Sequence, residues 1–214
     1  MTPYWEIEQG SLEWFLLRWG KVGGSSAKGL FVNSKTLLYQ LLAEQTEIYV
    51  EEESFSSFQM LRGLELEPEA IKRVTELTGI EFTPCGWIQS DIDIIGISPD
   101  GVTKDLTKAV EVKCLSGKKH IEYILEGILP LEYTHQCLHY FTVIDTLDEL
   151  IFSCYRPESP KSSFIISLTP ESEINLGTNA KPKMVSISDA VGMSREKSIK
   201  LDVEVKESLN KLTF

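Results

Sequence analysis

The sequence predicts a mixed α/β fold, a central mixed β-sheet flanked by helices, on three observations. Apolar residues recur at helical spacing early in the chain and again towards its end. Short runs rich in β-branched and aromatic residues, bounded by turn signals, fill the middle. The two patterns alternate along the chain, which is the signature of helices packed on a sheet. With 214 residues the chain is long enough for one substantial core, and no repeat, low-complexity tract or long linker divides it. Residues 1–214 therefore read as a single domain.

Ser11 to Trp19 reads as a short helix, followed by a glycine-containing break from Gly20 to Gly24 and a second helix beginning near Ser25. Ser34 to Thr46 is amphipathic, with Leu37, Leu38, Leu41 and Leu42 at helical spacing. From 68 to 78, Ala70, Ile71, Val74 and Leu77 share a face while Lys72, Arg73 and Glu76 point elsewhere. Pro68 suits the first turn of that helix and Gly79 its end. Phe82–Gln89, Ile92–Ser98 and Ala109–Cys114 read as strands, with Pro99, Asp100 and Gly101 forming a turn. Helical pattern returns from Leu131 to Val143. Strands follow at Leu150–Tyr155 and Ser163–Leu168, a loose loop from Thr169 to Pro182, and a last helix from Ser194 to Leu212.

Composition narrows the function classes. The 42% hydrophobic and 25% charged content is that of a soluble globular protein, and neither a membrane-length apolar run nor a signal pattern is visible. A cytoplasmic location is expected. Cys85, Cys114, Cys137 and Cys154 stand far apart with no C-x-x-C pair, which argues against zinc or an iron–sulfur cluster and for four reduced, buried thiols. A net charge of −11 argues against a protein that coats nucleic acid. It leaves room for an enzyme with a small basic groove, because a local field can oppose the global sum.

The residues that carry chemistry are Asp100, then Glu111-Val112-Lys113. On a strand, Val110 and Val112 face one side while Glu111 and Lys113 face the other. A turn at Asp100 would return it beside Glu111. Two carboxylates and water suit Mg²⁺, and the lysine can orient or help deprotonate an attacking water and stabilise charge on a phosphate. A solvated strand face with an incidental Glu–Lys pair accounts for the spacing equally well. The strand–turn–strand context favours the catalytic reading. Glu67, four residues before Ile71 and seven before Val74, shares their apolar face or caps it, and an acid directed there needs a partner or a metal. Glu65 and Glu69 suit the plainer role of acids at a helix start. Tyr133, Gln136 and Tyr140 form a row on one helix face, where core packing competes with binding of phosphate or water. His135 and His139 have zinc-like spacing but no third ligand.

Several blocks in order carry a resemblance. Trp14 and Arg18-Trp19-Gly20-x-Val22 come before Ser25. Arg62-Gly63 with Glu67 and Ala70, Ser98-Pro99-Asp100-Gly101, Glu111-Val112-Lys113-Cys114 and Tyr133-x-x-Gln136 follow. Together they resemble the phage lambda exonuclease, or YqaJ-like viral recombinase, family of the PD-(D/E)XK nuclease superfamily, over roughly residues 10–145. The resemblance implies a restriction-endonuclease-like core and a 5′→3′ exonuclease that leaves a 3′ single-stranded tail on linear duplex DNA. It implies Mg²⁺, with Mn²⁺ as a substitute, held as one or two ions by Asp100, Glu111, the Val112 carbonyl and Glu67. Lys113 would serve the nucleophilic water, Tyr133 and Gln136 would stand near the metals, and Arg18, Ser25 and Ser98 would grip a terminal 5′-phosphate. A ring-shaped homotrimer, a single-strand annealing protein as partner, and a phage or prophage origin in a bacterial host also follow from it. Gly23 and Leu115 depart from the family, which usually has a small polar residue and a proline at those positions, and no block matches beyond about residue 150. The alternatives are another PD-(D/E)XK endonuclease or, from a different class, a non-catalytic DNA-binding subunit. The intact Asp100, Glu111 and Lys113 set speaks against the latter.

Overall fold

The chain starts in a short strand, β1 (Thr2–Tyr4), and passes into helix α1 (Leu12–Arg18) through Ser11. The Ser11 hydroxyl accepts from the Trp14 backbone N–H at 3.2 Å, filling one of the donors a helix start leaves open. The structure, a computed structural model, describes residues 1–32, 34–49 and 58–212. A 3₁₀ helix (Gly24–Phe31) occupies the place expected for a second helix, and α2 (Thr36–Thr46) buries Leu37, Leu38, Leu41 and Leu42 as its periodicity requires.

Helix α3 (Phe58–Thr78) begins well before the expected 68, so Pro68 lies inside it and not in its first turn. Proline there has no N–H to give the Leu64 carbonyl, and its ring crowds that carbonyl. The helix persists because Ala70 and Val74 are buried against the sheet, a tertiary gain that outweighs the local cost. Glu65 and Glu69 are consequently mid-helix residues, and Glu69 accepts from the Tyr155 hydroxyl at 2.7 Å.

Strands β2 (Trp87–Gln89) and β3 (Gly96–Ile97) are shorter than expected, β4 (Gly101–Val102) starts on the last residue of the expected turn, and β5 (Lys108–Cys114) matches closely. Helix α4 (Gly117–Glu126), unforeseen from the pattern, ends on Gly127 at φ 68°, a left-handed cap that suits glycine. Then come α5 (Thr134–Val143), β6 (Glu149–Tyr155) and β7 (Ser163–Leu168). Within the expected loose loop, β8 (Glu173–Asn175) pairs with β9 (Met184–Ser186), and α6 (Ile187–Leu212) starts seven residues early.

Strands β4-β5-β6-β7 form a mixed sheet in which only β5 and β6 run parallel, while β1-β2-β3 form a separate antiparallel sheet. Parallel neighbours need a crossover connection. Here α4 and α5 supply it, which lays α5 across the sheet with nearly all its residues buried. β5 thus has two distinct faces. Val110 and Val112 pack with Ala70, Val74, Ile151 and Tyr155, and Ala109 joins the larger core that includes α5. From the far side α6 holds the loop after β2, through Arg195 to Asp91 (2.6 Å) and Lys206 to Asp93 (3.2 Å). All four cysteines are free thiols, three buried and Cys114 half-buried, and among the described residues no helix is long and apolar enough to cross a membrane.

Candidate active site

Asp100 sits in the bend between β3 and β4, and β4 folds back on β5 with Gly101 opposite Val110. The return brings the Asp100 carboxylate to the Val112 N–H, which donates to it at 2.7 Å. Glu111, one residue earlier on β5, is only 1% exposed. Its Oε1 accepts from Gln136 Nε2 at 2.7 Å and pairs with the Lys113 ammonium; its Oε2 accepts from the Tyr140 hydroxyl at 2.6 Å. Gln136 and Tyr140 lie four apart on α5, one turn of the helix that the crossover placed over this face. Glu67 approaches from α3, half-buried, close enough for its charge to be felt by Asp100, and for Glu111 and Lys113 to act on it.

These charges act on one another. Burial, then Glu111, push the Asp100 carboxyl well above the usual carboxylate range, and neither Lys113 nor the Val112 N–H fully compensates. Glu67 is raised for the same two reasons. Burial works against the Lys113 charge, but Glu111 and Asp100 outweigh it and hold its pKa above the ordinary value. With only the two acids beside it, Lys113 is held as an ammonium, a hydrogen-bond donor.

Three acidic groups facing one cation leave negative charge uncompensated in a partly buried place. A divalent ion would neutralise it, so the donor set fits a hard cation. Among the described residues no three His, Cys, Asp or Glu side chains make a complete cage. Magnesium does not ask for one, since it binds through one or two carboxylates and keeps several waters. Asp100, Glu111 and the Val112 carbonyl are the candidate ligands, and Glu67 a candidate for a second ion or its waters.

A second group assembles around Trp14. Its indole N–H donates to Ser98 Oγ (2.8 Å) and the Gly86 carbonyl (2.9 Å), and the Arg18 guanidinium lies over its ring at 3.9 Å. Arg18 and Ser25 line one cavity of about 660 Å³; Ser98 is outside it, tied to it through Trp14. Two consecutive glycines link the cavity to the carboxylate centre: a Cβ at Gly23, which lines the cavity, would sit 3.8 Å from Arg18, and one at Gly24 would come within 3.2 Å of Gln136. The family's small polar residue would thus fit at Gly23. Tyr133 does not reach Glu111: it flanks Lys113, whose ammonium lies 5.4 Å from its ring centre, and packs on Phe152. A basic cavity of about 700 Å³, lined by Arg62, Lys118, Lys119 and Arg156, opens beside Tyr133 and Cys114.

The pattern of the sequence pointed to Asp100, Glu111, Lys113, Glu67 and Gln136, and they converge. Tyr140 and Trp14 were visible in it, but not as the hydrogen-bond donors that fix Glu111 and Ser98. His135 and His139 face away from the centre: His135 meets Phe31 edge-on, and His139 bonds the Gly96 carbonyl at 3.0 Å.

The family model for the YqaJ-like viral recombinase domain matches residues 13–146. The chain belongs to this family. The YqaJ-like segment contains every candidate residue named above, from Arg18 to Tyr140. Three solved structures share its fold. An alkaline exonuclease (LHK-Exo) from Laribacter hongkongensis is 24% identical with a TM-score of 0.77, over 94% of this chain and 96% of that one. The same protein in complex with dAMP gives 24% and 0.74 over the same shares. A phage related exonuclease from Haemophilus somnus 129PT is 14% identical with a TM-score of 0.53, over 88% of this chain and 96% of that one. The strands and helices that follow the YqaJ-like segment thus belong to a shared fold. No curated protein sequence matches the chain.

Proposed function

We propose that this YqaJ-like protein is a magnesium-dependent 5′→3′ exonuclease acting on linear duplex DNA. The observation that carries the proposal is Glu111: a nearly inaccessible carboxylate, held by Tyr140 and Gln136, paired with Lys113 and set beside Asp100. A structural ion pair would not need two further acids facing the same lysine. The likeness to two exonuclease folds supports the reading, and dAMP, bound in one of those structures, is a 5′-mononucleotide of the class such a reaction releases.

When bound, magnesium would supply Lewis acidity toward the scissile phosphate, and Mn²⁺ would substitute. The Lys113 ammonium holds the attacking water and meets charge on the phosphoryl oxygens. Tyr140 and Gln136 fix the rotamer of Glu111. As the water oxygen bonds to phosphorus the bond to the leaving 3′ oxygen breaks; the attacking water gives a proton to solvent and the 3′ oxygen takes one from it, so a nucleotide departs with a 3′-hydroxyl and the next residue keeps a 5′-phosphate. Arg18, Ser25 and Ser98 would grip that terminus, a dianion suited to a guanidinium. A ring trimer, a single-strand annealing partner and a role in phage-type recombination within the host cytoplasm complete the reading, by family resemblance.

The test is a linear duplex labelled at either end, incubated with Mg²⁺ or a chelator. Label should be lost first from the 5′ end, only with metal, and Lys113→Ala should abolish the loss while leaving DNA binding intact. Digestion unchanged by that substitution would overturn the mechanism, and cleavage of closed circular duplex would favour an endonuclease.

A further inference from the structure

The cavity beside Arg18 is larger than a phosphate group needs, and its far wall is aromatic. Phe15 and Tyr49 face each other with ring centroids 6.1 Å apart and planes 21° from parallel, and Trp19 meets Tyr49 edge-on at 4.9 Å. The two rings are offset-stacked on one another, so a base would extend the stack on an outer face of the pair and not enter between them. Phe15, which also meets Trp14 edge-on, remains 38% exposed, so part of its ring is open to a further partner. Its lining carries both signs of charge, Arg18 and Lys21 beside Glu44 and Glu47, with Ser25 and Gln40 as polar neighbours. Glu44 is occupied, accepting from the Gly20 N–H at 3.0 Å and from Gln40 at 2.8 Å, whereas Glu47 is exposed and accepts no such hydrogen bond among the described residues. A carboxylate in that lining repels phosphate and can accept from the amino and imino groups of a base.

We infer that this cavity seats the 5′-terminal nucleoside: Arg18 and Ser25 take its phosphate while Phe15 and Tyr49 stack on its base. The inference rests on the exonuclease reading and deepens it by adding the base to what the site grips. Stacking suits an end-processing enzyme, since every base has a π-face and none is selected against. Cation and stacking platform then act on one nucleotide from two sides. The terminal residue is held by its phosphate and its base while the bond to its neighbour is cut.

Two measurements on the full chain test this. Calorimetric titration with dAMP and with 2-deoxyribose 5-phosphate should show dAMP binding about tenfold more tightly, the contribution of one stacked base. Phe15→Leu keeps an apolar contact at an exposed position but removes the π-face, and it should shrink that ratio towards one, as should Tyr49→Ala. With Mg²⁺, 5′-phosphorylated duplexes whose terminal nucleotide is abasic should be digested about tenfold less efficiently than intact ones by the unaltered protein. The two variants should lose that discrimination yet still prefer 5′-phosphate to 5′-hydroxyl ends. Equal affinity for the two ligands, or a ratio that both substitutions leave unchanged, would overturn the inference. A dAMP preference that depends on Phe15 in a protein that digests no DNA would sink the exonuclease reading and leave the nucleotide seat standing.

Discussion

Asp100 illustrates how a functional carboxylate is held at the expense of stability. Burial and Glu111 raise its pKa well above the unfolded value, so at neutral pH its ionised form opposes folding, a cost that the proposed cation would relieve. Asp100→Asn keeps an oxygen for the Val112 N–H and removes the charge. In chelator the variant should melt higher, by about 3 °C if about 1 kcal/mol of repulsion is relieved, and the rise in Tm that Mg²⁺ gives the unaltered protein should shrink. A lower Tm in chelator would show that the Asp100 charge stabilises the fold and that the cation argument is wrong. Arg18 makes a separate test. Its guanidinium is partly desolvated over Trp14, which draws its pKa down and leaves it thinly hydrated for a dianionic ligand. Arg18→Ala should reduce the preference for 5′-phosphorylated over 5′-hydroxyl ends at least tenfold with digestion of the latter little changed; an unaltered ratio removes Arg18 from the phosphate site. At this scale the sequence was informative wherever chemistry fixed residue type, as at Asp100, Glu111 and Lys113. Tyr140 was less legible, because a tyrosine on a buried helix face looks the same whether its hydroxyl meets Glu111 or nothing.

Helix α5 carries the site on one side and a buried base on the other. His139 Nε2 meets a carbonyl, an acceptor only, so that nitrogen bears the proton, while the buried Nδ1 has no hydrogen-bond partner among the described residues. Burial pulls the His139 pKa down to about 4. Above the unfolded value of about 6.5 both states are neutral and nothing is lost. As pH falls from there the unfolded chain takes up a proton that the folded protein refuses, so stability drops, by about 3 kcal/mol once pH reaches the folded value. Tm measured from pH 7.5 to 4 should fall along this limb, and His139→Gln should flatten it; equal slopes would show that other groups govern acid unfolding. The elements themselves were legible in proportion to their length and periodicity. α2, β5, β6 and β7 fell where the pattern placed them. β3 and β4, two residues each, exist only through pairing partners distant in sequence. α3 ran through Pro68 because burial of Ala70 and Val74 outweighed a local stop signal.

Across the whole molecule the net charge of −11 describes the surface on average and not the place where DNA would lie. The cations of interest form two groups joined by α5. Arg18 and Lys21 border the cavity that reaches the centre through Gly24 and Gln136; Arg62, Lys118, Lys119 and Arg156 border the one that reaches it past Tyr133, one turn away. Some of these cations already hold acids, as Arg62 holds Glu158 at 2.6 Å and Lys119 holds Glu132 at 2.7 Å, so DNA phosphates would replace carboxylates there. Binding should therefore be strongly salt-dependent in spite of the acidic total. For about six phosphates neutralised, log K should fall against log salt with a slope of about −5. Measured on the Lys113→Ala background, so that the duplex survives, Lys118→Ala with Lys119→Ala should lower the magnitude of that slope by about 2 and weaken binding to all sequences alike. A slope near zero would show that the negative surface governs the encounter. A steep slope unaffected by the pair would place the duplex away from the Tyr133 side of the centre.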